Sequence, residues 1–237
     1  MKSVYYTFYN SKFDIDYSIY TKDFPNLIIF YCYKSPKNIF GTADLIDVNS
    51  SLKSFNENDF TLSRLIKFQP WRFIDDNFDN YIYFDFRIKL SKKFINMSSK
   101  LKNTCFFNHR EGGVLKDELL RVICRNKINL ENLNLFLDNF SNKLDLPITE
   151  NGVLVLTKKI SLSFKKMEPW FELINRDQIL TPIFLENQKI NYFDFNLSNL
   201  SFFYVRPKKL NFINYLKLLY SEILFTLVRY WERFKQC

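Results

Sequence analysis

The apolar and polar positions of this chain alternate in blocks that predict strands early and helices later. Val4–Tyr9 reads as a strand. Leu27–Tyr33 (LIIFYCY) is a continuous apolar run, the pattern of a strand covered on both faces. Asp44–Asp59 is polar and irregular and reads as a surface loop, followed by an apolar stretch, Phe60–Phe68, that leads into Pro70-Trp71. Tyr81–Leu90 alternates most cleanly. Ile82, Phe84, Phe86, Ile88 and Leu90 share one side, and Tyr81, Tyr83, Asp85, Arg87 and Lys89 the other, which predicts a half-buried antiparallel strand. Lys92–Lys102 reads as a basic connection.

The period then changes. Cys105–Leu144 reads as a strand end, a polar loop closing on Gly112-Gly113, and two amphipathic helices. Two adjacent glycines point to a backbone conformation that other residues adopt only at a cost. Leu115, Leu119, Val122 and Ile123 recur at helical spacing, and Asn129 is placed to cap the second helix with Glu131 in its first turn. Val153–Phe164 reads as a strand, Arg176–Glu186 is interrupted by Pro182, and Ile190–Val205 reads as an aromatic hairpin. From Leu210 to Phe234 a long helix carries a heptad seam of Ile213, Leu216, Tyr220, Ile223, Leu227, Tyr230 and Phe234. Periodicity leaves open whether the chain itself or a partner covers that seam.

These elements predict an α+β protein: antiparallel strands, a central helical hairpin, and a long C-terminal helix that joins a helical bundle. The segments divide as a β-rich region at 1–104, the loop and hairpin at 105–149, a second β-rich region at 150–206, and the bundle helix at 207–237.

Composition adjusts this picture. The 237 residues suffice for a sizeable core, and a 19% aromatic share excludes global disorder. The net charge of +9 suggests an anionic partner. The abundance of Lys, Asn, Ile, Phe and Tyr, with a single alanine at Ala43, is equally the mark of an A/T-rich coding sequence. Cys32, Cys105, Cys124 and Cys237 form no CxxC pair, and Met1–Phe13 lacks the apolar core of a signal peptide, so reduced thiols and a cytoplasmic location are expected. Lys217, Glu222 and Arg229 interrupt the most apolar window; at about 2.5–3.5 kcal/mol each at mid-bilayer, they argue against a membrane span.

Motifs for chemistry are sparse. His109 is the single histidine, and nothing in the sequence supplies it with a nucleophile or a metal partner. The four glycines fit no phosphate loop, dinucleotide fingerprint or nucleophile elbow. The expectation is therefore no catalytic residue, no cofactor, no metal and no enzyme. Basic and aromatic residues interleave at Lys89–Lys102 and Phe203–Lys209, so a nucleic-acid-binding protein of an A/T-rich virus or plasmid is the alternative, using a face with Lys92, Lys93, Arg206, Lys208 and Lys209.

One resemblance bears on this. Phe106-Phe107, Gly112-Gly113-Val114-Leu115, Glu118–Arg125 and Phe136-Leu137-Asp138-Asn139-Phe140 resemble the central signature of TssG, the baseplate-wedge family of type VI secretion systems. Leu62–Trp71 sits where that family has a short strand segment. The family's loop is richer in proline, and Asp145–Thr149 lacks its aromatic-arginine continuation. The resemblance implies a non-catalytic structural subunit of a contractile-injection baseplate, located in the cytoplasm near the inner membrane. Its partners would be TssF-like wedge subunits, a TssK-like adaptor and a sheath-proximal TssE-like subunit. The heptad seam would be the partner interface and Gly112-Gly113 a projecting loop.

Overall fold

The computed structural model describes residues 2–12, 19–20, 23–37, 39–54, 58–74, 78–101, 104–108, 113–125, 127–174, 176–190, 203–204 and 219–228. In chain order the elements are β1 (Ser3–Asn10), β2 (Ile19–Tyr20), β3 (Leu27–Cys32), β4 (Ile39–Phe40), β5 (Asp44–Asp47), α1 (Asn49–Ser54) and α2 (Asp59–Phe68). There follow β6 (Asn80–Phe84), β7 (Ile88–Lys89), α3 (Lys92–Ser98), β8 (Cys105–Asn108), α4 (Leu115–Cys124) and α5 (Leu130–Phe140). The remainder is β9 (Thr149–Thr157), α6 (Lys158–Ser163), α7 (Asp177–Asn187), β10 (Phe203–Tyr204) and a last helix, α8, at 219–228.

Six strands form one sheet in the order β5-β3-β1-β6-β9-β8. β5, β3, β1 and β6 are mutually parallel, whereas β9 runs antiparallel to both β6 and β8. The expected all-antiparallel α+β arrangement with a bundle is thus replaced by a mixed, mainly parallel sheet flanked by helices. The reason lies in the tyrosines. Tyr81 and Tyr83 occupy the side of Tyr81–Leu90 read as solvent-facing, yet both are buried, and Tyr83 packs edge-on against Tyr6 at 5.5 Å between centroids. β6 is buried along its whole length, as a central parallel strand must be.

Each face of the sheet has its own core. Val4, Tyr6, Ile28, Phe30, Tyr81, Tyr83, Leu154 and Leu156 pack under α1, α2, α4, α5 and α7. On the opposite face, Tyr5, Leu27, Ile29, Ile82, Phe84, Val153 and Val155 pack with Phe94 and Ile95 of α3. On the first face, Phe164 stacks on Phe68 at 4.8 Å and on Phe184 at 4.1 Å, joining α2 to α7.

Other expectations shift for local reasons. Asp44–Asp59 contains β5, an edge strand whose exposed residues leave no alternation to read, and α1. Lys92–Ser98 is helical, capped by Ser91, whose hydroxyl accepts from Phe94 N at 3.1 Å. Asn129 caps α5 by accepting from Asn132 N at 2.7 Å. α7 runs straight through Pro182. Gly113 has φ +112°, which an L side chain rarely adopts, while Gly112 lies outside the described residues.

Candidate functional site

Following the chain across the sheet locates the site. β1 forms first, β3 and β5 add outward on one side, and the chain then returns to place β6 on the other side of β1. The connections from β1 and β6 therefore leave in opposite directions, which opens a crevice beyond their carboxyl ends. A cleft of about 310 Å³ lies there, lined by Phe8 and Asn10 of β1, Asp59, Phe60 and Ser63 of α2, Tyr83 of β6, Asp85, Phe86 and Arg87 just after it, and Lys127. A second compartment of about 300 Å³ shares Asp85 and Arg87 with the first. It continues to Lys67, to Glu150–Gly152 of β9, and to Arg176, Asp177 and Gln178 at the start of α7.

Asp59 gathers one wall. It is the first residue of α2, whose cap Asn58 accepts from Thr61 N at 3.1 Å. A carboxylate there lies beside unpaired helix N–H groups, where negative charge is favoured. Its Oδ2 accepts from Asn10 Nδ2 at 2.9 Å, Lys12 Nζ at 3.3 Å and Tyr33 OH at 3.4 Å. Lys12 Nζ also stands 4.1 Å over the Tyr33 ring. The hydrogen bond with Tyr33, and then Asp59, hold the Lys12 ammonium above its usual range. Burial, and then the Asp59 charge, push the Cys32 thiol up to about 11, so this cysteine is no nucleophile at neutral pH.

Asp85 and Arg87 form the partition between the compartments. β6 ends at Phe84, Asp85 N donates to Gly152 O at 2.7 Å, and a tight turn returns Ile88 N to Asp85 O at 2.7 Å. That turn folds Arg87 back onto Asp85. Oδ1 accepts from Arg87 N and Nε, and Oδ2 from Nη2, all at 3.0 Å. Burial pushes the Asp85 carboxyl up, but the Arg87 bonds and charge, with Lys67, outweigh it and hold the group below the usual carboxylate range.

The far compartment is floored by ion pairs. Lys67 donates to Asp177. Burial raises the Asp177 carboxyl, yet Lys67, Arg64 and Arg176 overcome that and bring it down to about 2. Buried Glu118 of α4 accepts from Arg176 Nε at 2.5 Å and from Arg121 at 3.4 Å. Desolvation, followed by the charges of Arg176 and Arg125, lowers the Lys127 ammonium. Carboxylates and cations therefore alternate around one crevice, an arrangement able to orient a polar ligand and to hold or pass a proton. Among the described residues, no group of three or more His, Cys, Asp or Glu is placed to hold a metal ion.

No family model and no curated protein matches the sequence. Among solved structures, the chain is similar to apo mouse xyloside xylosyltransferase 1, at 8% identity and a TM-score of 0.45, over 84% of this chain and 86% of that one. It is also similar to the galactosyltransferase LgtC with donor and acceptor sugar analogues, at 11% identity and a TM-score of 0.42, over 76% of this chain and 70% of that one. At these values nothing of those proteins' chemistry is carried over to this chain. The TssG resemblance and the non-catalytic baseplate role are nonetheless overturned. No family model matches the sequence, and in place of antiparallel strands with a helical bundle the sheet is mixed, mainly parallel, and opens a polar crevice where its parallel strands end. The expectation of no enzyme falls with them.

Of the residues read from sequence, His109, Gly112, Ile213, Leu216, Tyr230 and Phe234 lie outside the described residues. Tyr220, Ile223 and Leu227 sit on α8 with more than half of each side chain exposed. Gly113 packs near Ile148, away from the cleft. Lys92 of the supposed basic face pairs with Asp23 at 3.3 Å. The residues that line the crevice form no motif in the sequence. The available signal was Asp85-Phe86-Arg87, a charged pair immediately behind the apolar run Tyr81–Phe84. Among the described residues no helix is long and apolar enough to cross a membrane.

Proposed function

We propose that the crevice beyond β1 and β6 binds a nucleoside-diphosphate type of ligand and that the protein is a group-transfer enzyme acting on it. The observation that carries this reading is the position of the cleft at the reversal point of the sheet, flanked by Asn10 on one strand and Asp85 after the other. The lining suits such a ligand part by part. Phe8, Phe60 and Phe86 offer flat apolar walls for a base, and Phe60 is half exposed. Asn10, Asp59 and Asp85 offer acceptors for sugar hydroxyls, and Arg87 and Lys127 offer cations for phosphate oxygens.

Group transfer needs two substrates side by side, and two compartments meet at Asp85 and Arg87. An acceptor hydroxyl in the far compartment would attack the group to be transferred. Its proton would pass to a carboxylate there, and the bond to the diphosphate would break, with the electron pair leaving on the diphosphate beside Arg87. Nucleotide sugars, which combine a base, hydroxyls and a diphosphate, are the first ligands to try.

The test is a thermal-shift and calorimetric titration of the full chain with ADP, GDP, UDP and CDP and their sugar conjugates, with and without magnesium. At a hundredfold excess over Kd, a ligand specific to the folded state stabilises it by about 2.7 kcal/mol, readable as a rise in Tm of several degrees. At least one nucleotide is expected to bind, and its binding is expected to weaken in Arg87→Ala. No binding across the whole set overturns the reading.

A further inference from the structure

α7 opens into the far compartment with its first turn unsealed. Arg176, at the cap position, makes no side-chain cap bond, and the first N–H groups of a helix find no partner inside it. Asp177 lies in that turn, but its carboxylate is engaged by Lys67. Gln178 lines the compartment with only 9% of its surface exposed, and its side-chain amide has no hydrogen-bond partner among the described residues. Burying an amide without a partner is costly, so this one is placed for something that enters the compartment. Arg176 spends Nε on Glu118, and among the described residues its two Nη groups have no acceptor.

Charge points the same way. Apart from the Asp85–Arg87 pair, the cations Arg64, Lys67, Arg121, Lys127 and Arg176 stand against the carboxylates Glu118, Glu150 and Asp177. The crowding reaches Lys127, whose ammonium is lowered by burial and then by the charges of Arg176 and Arg125. Surplus donors and surplus positive charge at a helix N-terminus select an oxyanion. Glu150, whose Oε1 accepts from Gly152 N at 3.1 Å, lines the same compartment and suits a hydroxyl of the same molecule. We infer that the start of α7, with Arg176 and Gln178, is an oxyanion site, and that the second substrate is a small hydroxylated molecule carrying a phosphate or a carboxylate. The role of that molecule as acceptor rests on the group transfer proposed above; the oxyanion site itself does not.

Calorimetric titration of the full chain with glycerol 3-phosphate, glycerate and glycerol tests this, each alone and with the tightest-binding nucleotide at saturation. At least one of the two oxyanions is expected to bind, glycerol is not, and the tighter of the two tells a phosphate from a carboxylate. Gln178→Leu keeps the bulk of the side chain and removes only its amide. It is expected to weaken that binding about tenfold, the worth of a hydrogen bond to a charged group, with Tm and nucleotide affinity unchanged. Arg176→Gln is expected to weaken it at least as much. Nucleotide binding without binding of either oxyanion overturns the inference and leaves the nucleotide site standing. Oxyanion binding that is lost in Gln178→Leu, in a protein that binds no nucleotide, sustains the oxyanion site and overturns the group transfer. Oxyanion binding indifferent to both substitutions overturns the inference, as does glycerol binding of equal strength. Binding abolished by saturating nucleotide puts the anion in the near compartment and also overturns it.

Discussion

At the amino ends of β1 and β6, polar groups are consumed by the backbone around them. Asn26 Nδ2 donates to Ser3 O at 3.1 Å, Lys2 N donates to Asp79 at 2.8 Å, and Asn80 donates to Leu101 O. Tyr5 OH donates to Ile95 O at 2.6 Å and tethers α3 to the sheet. At the carboxyl ends of the same strands, polar side chains meet chiefly one another. Asn10, Lys12 and Tyr33 converge on Asp59, Arg87 folds onto Asp85, and Lys67 meets Asp177. At the first end each of these bonds has a backbone group as donor or acceptor. The second concentrates charge around open space. A fold gains nothing obvious from collecting carboxylates and cations at one edge, since an ion pair there stabilises little more than the apolar contact it displaces. The asymmetry fits the proposed binding of a polar ligand at the charged end.

The largest expected effect breaks the charged end at its floor. Asp177→Leu leaves Lys67 beside buried Arg64 without its counter-charge, and removing one partner of a buried pair costs about 3–5 kcal/mol. Chemical denaturation should register that loss, and Lys67→Met introduced together with Asp177→Leu should recover part of it. A smaller effect comes from acid. The Asp177 carboxyl is depressed to about 2 from an ordinary value of 3.8, so its contribution is complete above pH 4 and fades as pH falls toward 2. It amounts to ~2 kcal/mol, and denaturation midpoints taken across that window should fall in wild type and much less in Asp177→Asn.

How much of this was legible in the sequence depends on the range of the contact. Leu27–Cys32 was readable because a short unbroken apolar run has few homes other than a strand covered on both faces. The Cys105–Leu144 helices were readable because their period is local. Val153–Phe164 was misread where the period changes: Leu154 and Leu156 alternate, whereas Ile160 and Phe164 follow at steps of four, and the strand gives way to α6 at Lys158. The direction of β6 was not readable at all. Whether a neighbouring strand runs parallel is decided by the path of the chain through α2, not by any residue of the strand. The site suffered most. Asn10 and Asp59 are 49 residues apart, and Lys67 and Asp177 are 110 apart; each looks like an ordinary solvated polar residue until the crossover brings it to the same edge.

The smallest effects sharpen the comparison, because they pit one residue from each end against the other. Tyr5→Phe removes a buried hydroxyl that donates to Ile95 O and meets Ser98 Oγ at 2.8 Å, leaving those groups short of a partner. It should cost about 1–1.5 kcal/mol of stability, in the range of one hydrogen bond, and leave nucleotide affinity untouched. Arg87→Ala removes two hydrogen bonds, those from Nε and Nη2 to Asp85, but they lie within a three-residue turn and the Arg87 side chain is half exposed. Pairs of that kind contribute about 0–1 kcal/mol, so its Tm should scarcely move. Its affinity for the best nucleotide should nonetheless fall at least tenfold, since the substitution takes away the cation shared by both compartments. Calorimetry and denaturation on the same two variants read both quantities. If Tyr5→Phe weakened the ligand as much as Arg87→Ala did, the two ends would be parts of one rigid unit, and the division between a closing edge and a binding edge would be lost.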